Sequence, residues 1–373
     1  MRVEGPLILG GGPAGAAAAI TLARAGLRPV VLERHAASHD ALCGGFLSWS
    51  TGRRLRALGV DPAALGAHPV ETVRLFAGSR GTEVRLPQRS WSLSRRVLDV
   101  ALLDRAEAEG AQVRRGVKVA SLAGDGRVEL SGGGEIHARV TVLATGKHDL
   151  RGVGRSAVSA DPALGLRWRL AGSPRLRRLV GHAVELHLFA GGYAGLALQE
   201  DGSANLCMAV KRSVLAAAGG DPQALLERLA AAHSALEARI TAAGGEPGAA
   251  QAVANVPYGW ITTEPAGDVF RIGDQAAVIP SLAGEGMAIA LASGIAAGEA
   301  VAQGLDAARF QRRLARRAWL PVRVAGAIAQ AGTGGVGGGL VVRTAALLPG
   351  LPVLAARLSR MGEGRHYTKA RRC

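Results

Sequence analysis

Apolar positions in this chain gather in short blocks punctuated by glycine, and their period changes along the sequence. Val3 to Leu9 is an apolar run that stops at Gly10 and predicts a short buried strand. Residues 16–26, AAAAITLARAG, are strong helix formers stopped by Gly26. Pro29-Val30-Val31-Leu32 predicts a second strand, ending at Glu33. Together these make a βαβ unit of the usual length, about 30 residues. Residues 96–109 predict a helix ended by Gly110, followed by a strand near Val113 to Leu122. Arg127 to Leu143 alternates around Ser131-Gly132-Gly133-Gly134, a hairpin pattern that ends in an apolar strand running into Gly146. Residues 163–215 alternate in a β manner, and 222–243 read as helix. Residues 269–280 read as a strand and a loop, 281–302 as a loop and a long helix of small residues. From about Ala307 the pattern is mainly helical.

The first turn, Gly10-x-Gly12-x-x-Gly15, carries the spacing of a phosphate-binding loop. Gly10 permits the tight turn, Gly12 lets the backbone approach a pyrophosphate, and Gly15 allows close helix–strand packing. The following helix offers free N–H groups and a positive dipole to the phosphates. Glu33 lies 18 residues past Gly15, where a carboxylate accepts hydrogen bonds from ribose hydroxyls. Gly332 to Gly337 repeats the spacing. A helical segment precedes it, however, and no acid follows about 20 residues on, so it predicts a connection and not a second site.

Composition narrows the picture. The chain has 373 residues, 48% of them hydrophobic, with 53 glycines. That is ample apolar surface to bury, which excludes intrinsic disorder, and the glycines lack the period of collagen. Three cysteines exclude a disulfide scaffold and fit a reducing, cytoplasmic compartment. The N-terminus carries no signal-peptide pattern. The longest uncharged run, Val324 to Val342, contains seven glycines and reads poorly as a membrane span. Net charge is +16, of which +11 lies in residues 301–373. Those basic residues are interleaved with Leu, Ala and Val at helical spacing, which suits a membrane surface or an acidic partner, or simply a solvated helix face. With few aromatics on which bases could stack, no nucleic acid is expected as a partner.

Four separated blocks resemble FAD-dependent oxidoreductases with the para-hydroxybenzoate hydroxylase fold. That group includes aromatic monooxygenases, geranylgeranyl reductases and flavin-dependent halogenases. The blocks are Gly10–Gly15 (with Pro13 and Ala14) plus Glu33-Arg34, Arg95-x-x-Leu98-Asp99, Val142-Leu143-Ala144-Thr145-Gly146, and Arg271-Ile272-Gly273-Asp274 through Pro280 to Gly284-Glu285-Gly286-Met287. The resemblance implies that the first block holds the ADP half of FAD and that Arg95 meets phosphate or ribose oxygens. It implies that Asp274 binds the ribityl chain and that the Gly284–Met287 turn opens a helix aimed at the flavin ring. Gly44 and Val119 complete the implied cofactor contacts. The implied fold is α/β: a discontinuous Rossmann-like FAD-binding domain (1–70, 90–155, 255–305), an inserted antiparallel-sheet substrate domain (71–89, 156–254) and a basic helical C-terminal region (306–373).

Departures from the family pattern bear on activity. Where hydroxylases carry an Asp-Gly pair serving FAD and NADPH, this chain reads Gly146-Lys147-His148-Asp149. NADPH or NADH as external reductant, or a separate electron-donating reductase, both stay open. The halogenase Trp-x-Trp-x-Ile-Pro signature is absent, which sets halogenation aside. Cys43-Gly44-Gly45 and Gly284-Glu285-Gly286 look more like the reductases. Tyr193 to Leu198 occupies a place where geranylgeranyl reductases carry Tyr-x-Trp-x-Phe-Pro, but with Gly195 at the Trp position. The candidate catalytic groups are Cys43, as a thiol or a small buried residue, His148, as an acid–base group or a structural hydrogen-bonder, and Tyr193. Trp49, Trp91, Trp168, Tyr258 and Trp260 are candidates for an apolar substrate wall or for the core. His182 and His187 lack metal-ligand spacing, so no metal is expected. The leading expectation is monooxygenation of a hydrophobic phenolic, polyketide or lipid-like substrate by a cytoplasmic enzyme that contacts the membrane peripherally through its C-terminus. The alternatives are C=C reduction of an isoprenoid chain, and a non-catalytic membrane-surface or nucleic-acid-binding protein.

Overall fold

Five parallel strands form the inner sheet, in the order Val269–Arg271, Thr141–Leu143, Leu7–Leu9, Val30–Glu33 and Gln112–Arg115. The structure, a computed structural model, describes residues 2–124, 126–156, 159–245, 247–265 and 267–362. Cys373 and the basic residues from Arg365 onward lie outside the described residues. The helices are α1 (Pro13–Arg24), α2 (Trp49–Ala57), α3 (Arg95–Ala108), α4 (Pro174–Val180), α5 (Arg212–Ala216) and α6 (Pro222–Ala232). They continue with α7 (Ser234–Ala242), α8 (Gly286–Ala302), α9 (Ala307–Thr333), α10 (Gly337–Leu347) and α11 (Gly350–Leu358).

Helix α1 is buried almost all round because it lies between the inner sheet and α8. Two glycines of α8 set that approach. A methyl at Gly294 would fall 2.2 Å from the Ala14 carbonyl oxygen, and one at Gly298 would fall 2.6 Å from Thr21 Cβ. The matched pairs rise together along both chains, so the helices run parallel. Gly294 lies eight positions after Gly286, so α8 begins about 12 Å before the level of Ala14.

A small four-stranded sheet covers the other face of the inner sheet, and a separate eight-stranded sheet runs in the order Gln251–Val256, Ala163–Leu170, Ala204–Lys211, Gly192–Leu198, Ala183–Phe189, His68–Ala77, Arg80–Ser92 and Phe46–Leu47. Its ladders are antiparallel except for the parallel pairing of 183–189 with 68–77. Leu166, Trp168 and Leu206 pack from this sheet onto Leu176 of α4 and onto Leu225 and Leu229 of α6. The small third sheet holds Arg2–Val3, Glu135–Ala138, Arg127–Leu130 and Val119–Leu122, and includes the expected hairpin.

Three sequence expectations change. The single strand at 113–122 is two strands in two sheets, because Gly116 turns the chain at φ 76°. The β stretch at 163–215 is interrupted by α4, which Pro174 starts and the Ser173 hydroxyl caps by accepting Leu176 N–H at 2.9 Å. The helix at 222–243 breaks at His233, whose φ of −133° is extended. The uncharged run 324–342 is split between α9 and α10. Among the described residues no single helix is long and apolar enough to cross a membrane.

Candidate cofactor and substrate site

The inner sheet brings the four sequence blocks together. Strands run in one direction, and the chain order reverses on either side of Leu7–Leu9, which opens a crevice at the carboxyl ends of the strands. Gly10, Arg34, Ala144 and Ile272 each follow directly after one of those ends. The ladder continues one residue into the turns: Gly10 N–H donates to Leu32 O at 2.9 Å, Ala144 N–H to Leu9 O at 2.9 Å, and Ile272 N–H to Leu143 O at 3.0 Å. Arg155, nearly fully buried, then staples two of the turns by donating to Asp274 O and Lys147 O, both at 2.9 Å. Gln275 does the same through Gly146 O at 2.9 Å and His148 O at 3.1 Å. Sequence reasoning missed both staples: Arg155 sits in no motif, and Gln275 falls within the fourth block without being singled out.

Glycines in this crevice divide into two kinds. An added Cβ at Gly10 would lie 2.5 Å from Ala144 O, and one at Gly15 would lie 1.9 Å from Gly10 O. The fold itself needs those two. A Cβ at Gly12 meets only the Arg95 Nη2 at 3.4 Å, and one at Gly286 meets nothing within 4 Å. Both open positions start helices, α1 and α8, whose first N–H groups have no side-chain cap. Two uncapped helix ends, offset by about 12 Å, suit a ligand with phosphate at one end and an electron-accepting ring at the other. That fits FAD, which Gly12, Arg95 and the α1 end would hold at its phosphates and Gly284–Met287 would hold at its ring. Glu33 sits at the ribose position but already accepts Gly11 N–H at 2.8 Å and His35 N–H at 2.9 Å. Pro13, Ala14 and Met287 are buried in the core around these turns, as is Pro280, and Gly273 N–H is anchored by the Ser293 hydroxyl at 2.8 Å.

Arg95 links this end to the substrate side. Its guanidinium forms a two-pronged pair with Asp99, at 2.7 and 2.6 Å, and reaches the Cys43 side chain. Burial works against its charge, but Asp99 and Cys43 outweigh that and hold it above the ordinary arginine range. The Cys43 loop lies on the large sheet. Asn205 Nδ2 donates to Cys43 O at 2.8 Å, and the Cys207 thiol donates to the same oxygen at 3.1 Å. Arg167, 4% exposed, orients Asn205 at 2.7 Å and pairs with the Asp40 carboxylate. Lys147 Nζ holds Leu42 O at 2.9 Å. Tyr193 and Tyr258 complete this side: the Tyr258 hydroxyl is 2.6 Å from Ser281 Oγ, and Ser281 also touches the Tyr193 phenol. Burial pushes Tyr258 up to about 12 and raises Tyr193 well above its ordinary value. Burial, with Cys43 nearby, pushes Cys207 up to about 12.

Residues 5–151 match the family described as FAD binding domain. The chain is 27% identical over 316 residues to digeranylgeranylglycerophospholipid reductase 2 of Methanopyrus kandleri, covering 80% of this chain and 77% of that protein. Two solved structures share the fold. The flavin-dependent brominase Bmp2 superposes with a TM-score of 0.79 at 18% identity, over 96% of this chain and 93% of that one. PqsL of Pseudomonas aeruginosa, a probable FAD-dependent monooxygenase, superposes with 0.70 at 19% identity, over 89% and 97%. Residues 5–151 are thus an FAD binding domain, and the chain has the para-hydroxybenzoate hydroxylase fold.

In the flavoprotein, not every expected site residue joins the same centre. Cys43 and Tyr193 share the large-sheet side, whereas His148 is exposed and its Nε2 lies 2.7 Å from Arg34 Nη2. Burial and then the Arg34 charge lower its pKa. Val119 packs against the core shared by the small third sheet and the inner sheet, paired with Leu130. Trp168 is a core residue of the large sheet, and Trp49 lies under Arg360. Glu33, His35 and His39 bring three ligand-type atoms within 4.8 Å of one another, but the Glu33 oxygens are engaged as above and the two imidazoles stack at 3.5 Å. An open cleft of about 930 Å³ between α6, α7, Gly245 and residues 247–250 lies on the far side of the large sheet from this crevice.

Proposed function

We propose that this flavoprotein is a monooxygenase acting on a hydrophobic phenolic, polyketide or lipid-like compound. The observation that carries the reading is the pair of phenols, Tyr193 and Tyr258, both meeting Ser281 on the large-sheet side of the crevice. FAD, when bound, supplies the electrons and the position at which oxygen is activated. The chain's residues do the rest. Gly12 and Arg95 fix the phosphates, and the α8 end stabilises negative charge on the ring edge. The two O–H groups and Ser281 offer hydrogen bonds to the polar end of a substrate, and the sheet behind them excludes water. NADPH or NADH, directly or through a separate reductase, is the expected electron source. The test is NADPH-dependent oxygen uptake with labelled oxygen appearing in a phenolic or polyketide product. Oxygen uptake that yields only peroxide across such a panel would sink the reading.

A second reading is C=C reduction of an isoprenoid chain. It is favoured by the match to the Methanopyrus kandleri reductase over 80% of this chain and 77% of that protein, and by Cys43 beside Arg95, a thiol placed to deliver a proton. Anaerobic saturation of a polyprenyl lipid by the reduced enzyme would replace the first reading with this one.

A further inference from the structure

Nine large apolar side chains are exposed among the described residues, and all nine lie between Trp319 and Leu358. The pattern on each helix explains why. On α10, Val342 and Ala345 turn inward onto Leu75 and Val84 of the large sheet, leaving Leu340, Arg343 and Leu347 outside. Leu347 is 77% exposed. On α11, Leu351, Leu354 and Leu358 recur at three- and four-residue spacing, all exposed. On α9, Arg312, Arg316, Trp319 and Arg323 share the outward side, and the Arg323 guanidinium lies 5.7 Å from the Trp319 ring centre. Residues 301–362 carry nine arginines against one acid, Asp306.

Helices α10 and α11 meet at 111°. Each is shorter than about 17 Å, against a hydrocarbon core of about 30 Å, so they suit lying on a bilayer and not crossing it. The face is also anchored: Met361 is buried, and Arg54 Nη2 donates to its carbonyl at 2.8 Å.

We propose that this face docks on an anionic lipid bilayer. The leucines of α10 and α11 enter the boundary between headgroups and acyl chains, and the arginines of α9 meet lipid phosphates. Arginine stems run along apolar surface while their heads stay at the phosphate level, and Trp319 is the side chain that favours this depth. Charge selects the occupant. A second copy would cover the leucines but bring arginine against arginine. A nucleic acid would use the arginines and leave the leucines in water. The inference stands apart from the flavin chemistry and does not depend on it.

The experiment is sedimentation of the purified full chain with phosphatidylcholine vesicles, with or without phosphatidylglycerol, at low salt and at roughly 0.5 M salt. Binding is expected only with phosphatidylglycerol, and salt should weaken it. Leu347→Ser with Leu351→Ser and Leu354→Ser should abolish binding even at low salt. Arg312→Gln with Arg316→Gln and Arg323→Gln should weaken it roughly a hundredfold, since each cation near the surface contributes about fivefold. Both variants replace exposed side chains, and an unchanged melting temperature confirms the fold; the arginine variant decides the matter if the leucine variant melts early. Equal binding to neutral and anionic vesicles, or none, overturns the proposal. So does a concentration-dependent dimer that the leucine variant abolishes, or duplex DNA binding that displaces vesicles and survives the leucine variant.

Discussion

Arg360, just past the end of α11, places its Nε 3.0 Å from Glu285 Oε1 while its guanidinium carbon lies 3.2 Å over the centre of the Trp49 ring. Glu285 is the residue before α8, inside the turn that would face the flavin, and it is fully buried. The Arg360 N–H is not aimed at the carboxylate, so the contact is electrostatic and not a hydrogen bond. Burial pushes Glu285 up to about 7, with Arg360, Ser48 and Arg54 pulling only partly the other way. Burial likewise lowers Arg360 to about 10, with Glu285 opposing.

A pH dependence follows. The native carboxyl keeps its proton up to about pH 7, whereas the unfolded one releases it near 4.5. Between those values the native state binds more protons, so stability falls as pH rises. The full loss, above the native pKa, is roughly 3 kcal/mol. Thermal melts from pH 5 to pH 8 should show a falling transition temperature, and Glu285→Gln should flatten that slope. A slope that survives the substitution assigns it to another group.

The two kinds of glycine make separable predictions. Gly12→Val and Gly286→Val should fold normally, because the added side chains meet little protein, yet purify without flavin absorbance. Gly10→Ala forces a methyl to 2.5 Å from Ala144 O at φ 108° and should destabilise the chain itself, by roughly 2–4 kcal/mol. Circular dichroism melts beside the flavin spectrum read both. A yellow, stable Gly12→Val protein contradicts the phosphate-turn assignment.

Local features were the legible ones. The first βαβ unit and the Gly273 turn each announce themselves within about 30 residues, and their meeting follows from parallel strands sharing one carboxyl edge. The break at Gly116 had a local signal too, a glycine inside a strand pattern, yet the pattern over 113–122 reads as one strand across it. Contacts between distant segments had no such signal. Arg167 meets Asp40 across 127 residues, and His148 meets Arg34 across 114. His148 reads as either an acid–base group or a structural hydrogen-bonder until that guanidinium is seen beside it. The outward leucines of α10 and α11 gain meaning only once Val342 and Ala345 are known to face the sheet.

Arg95 should matter for cofactor affinity more than for folding. Its bidentate pair with Asp99 holds the guanidinium beside Gly12, where it can donate to phosphate. Arg95→Lys keeps the charge but loses the fork. A charge-assisted hydrogen bond lost here costs about 1.5–3 kcal/mol, so FAD should bind roughly tenfold to a hundredfold more weakly. Titration of the apoprotein by flavin fluorescence quenching measures it; unchanged affinity removes Arg95 from the cofactor site.

Cys43 divides the two proposed chemistries. Its carbonyl is held by Asn205 and Cys207, so Cys43→Ala should leave the loop in place and remove only the thiol. Monooxygenation asks nothing of that thiol, and labelled-oxygen incorporation should stay within about threefold of the parent, a difference of under 1 kcal/mol. Reduction of a C=C bond needs a proton at a fixed point, and losing its donor should slow anaerobic saturation by about 10²–10⁴. Asn205→Ala provides the contrast. It releases the loop with the thiol intact and should lower either activity through misplacement, without the solvent-proton rescue by weak acids that a missing donor allows. A Cys43→Ala enzyme slowed in oxygen incorporation but not in saturation would reverse the roles assigned to the thiol here.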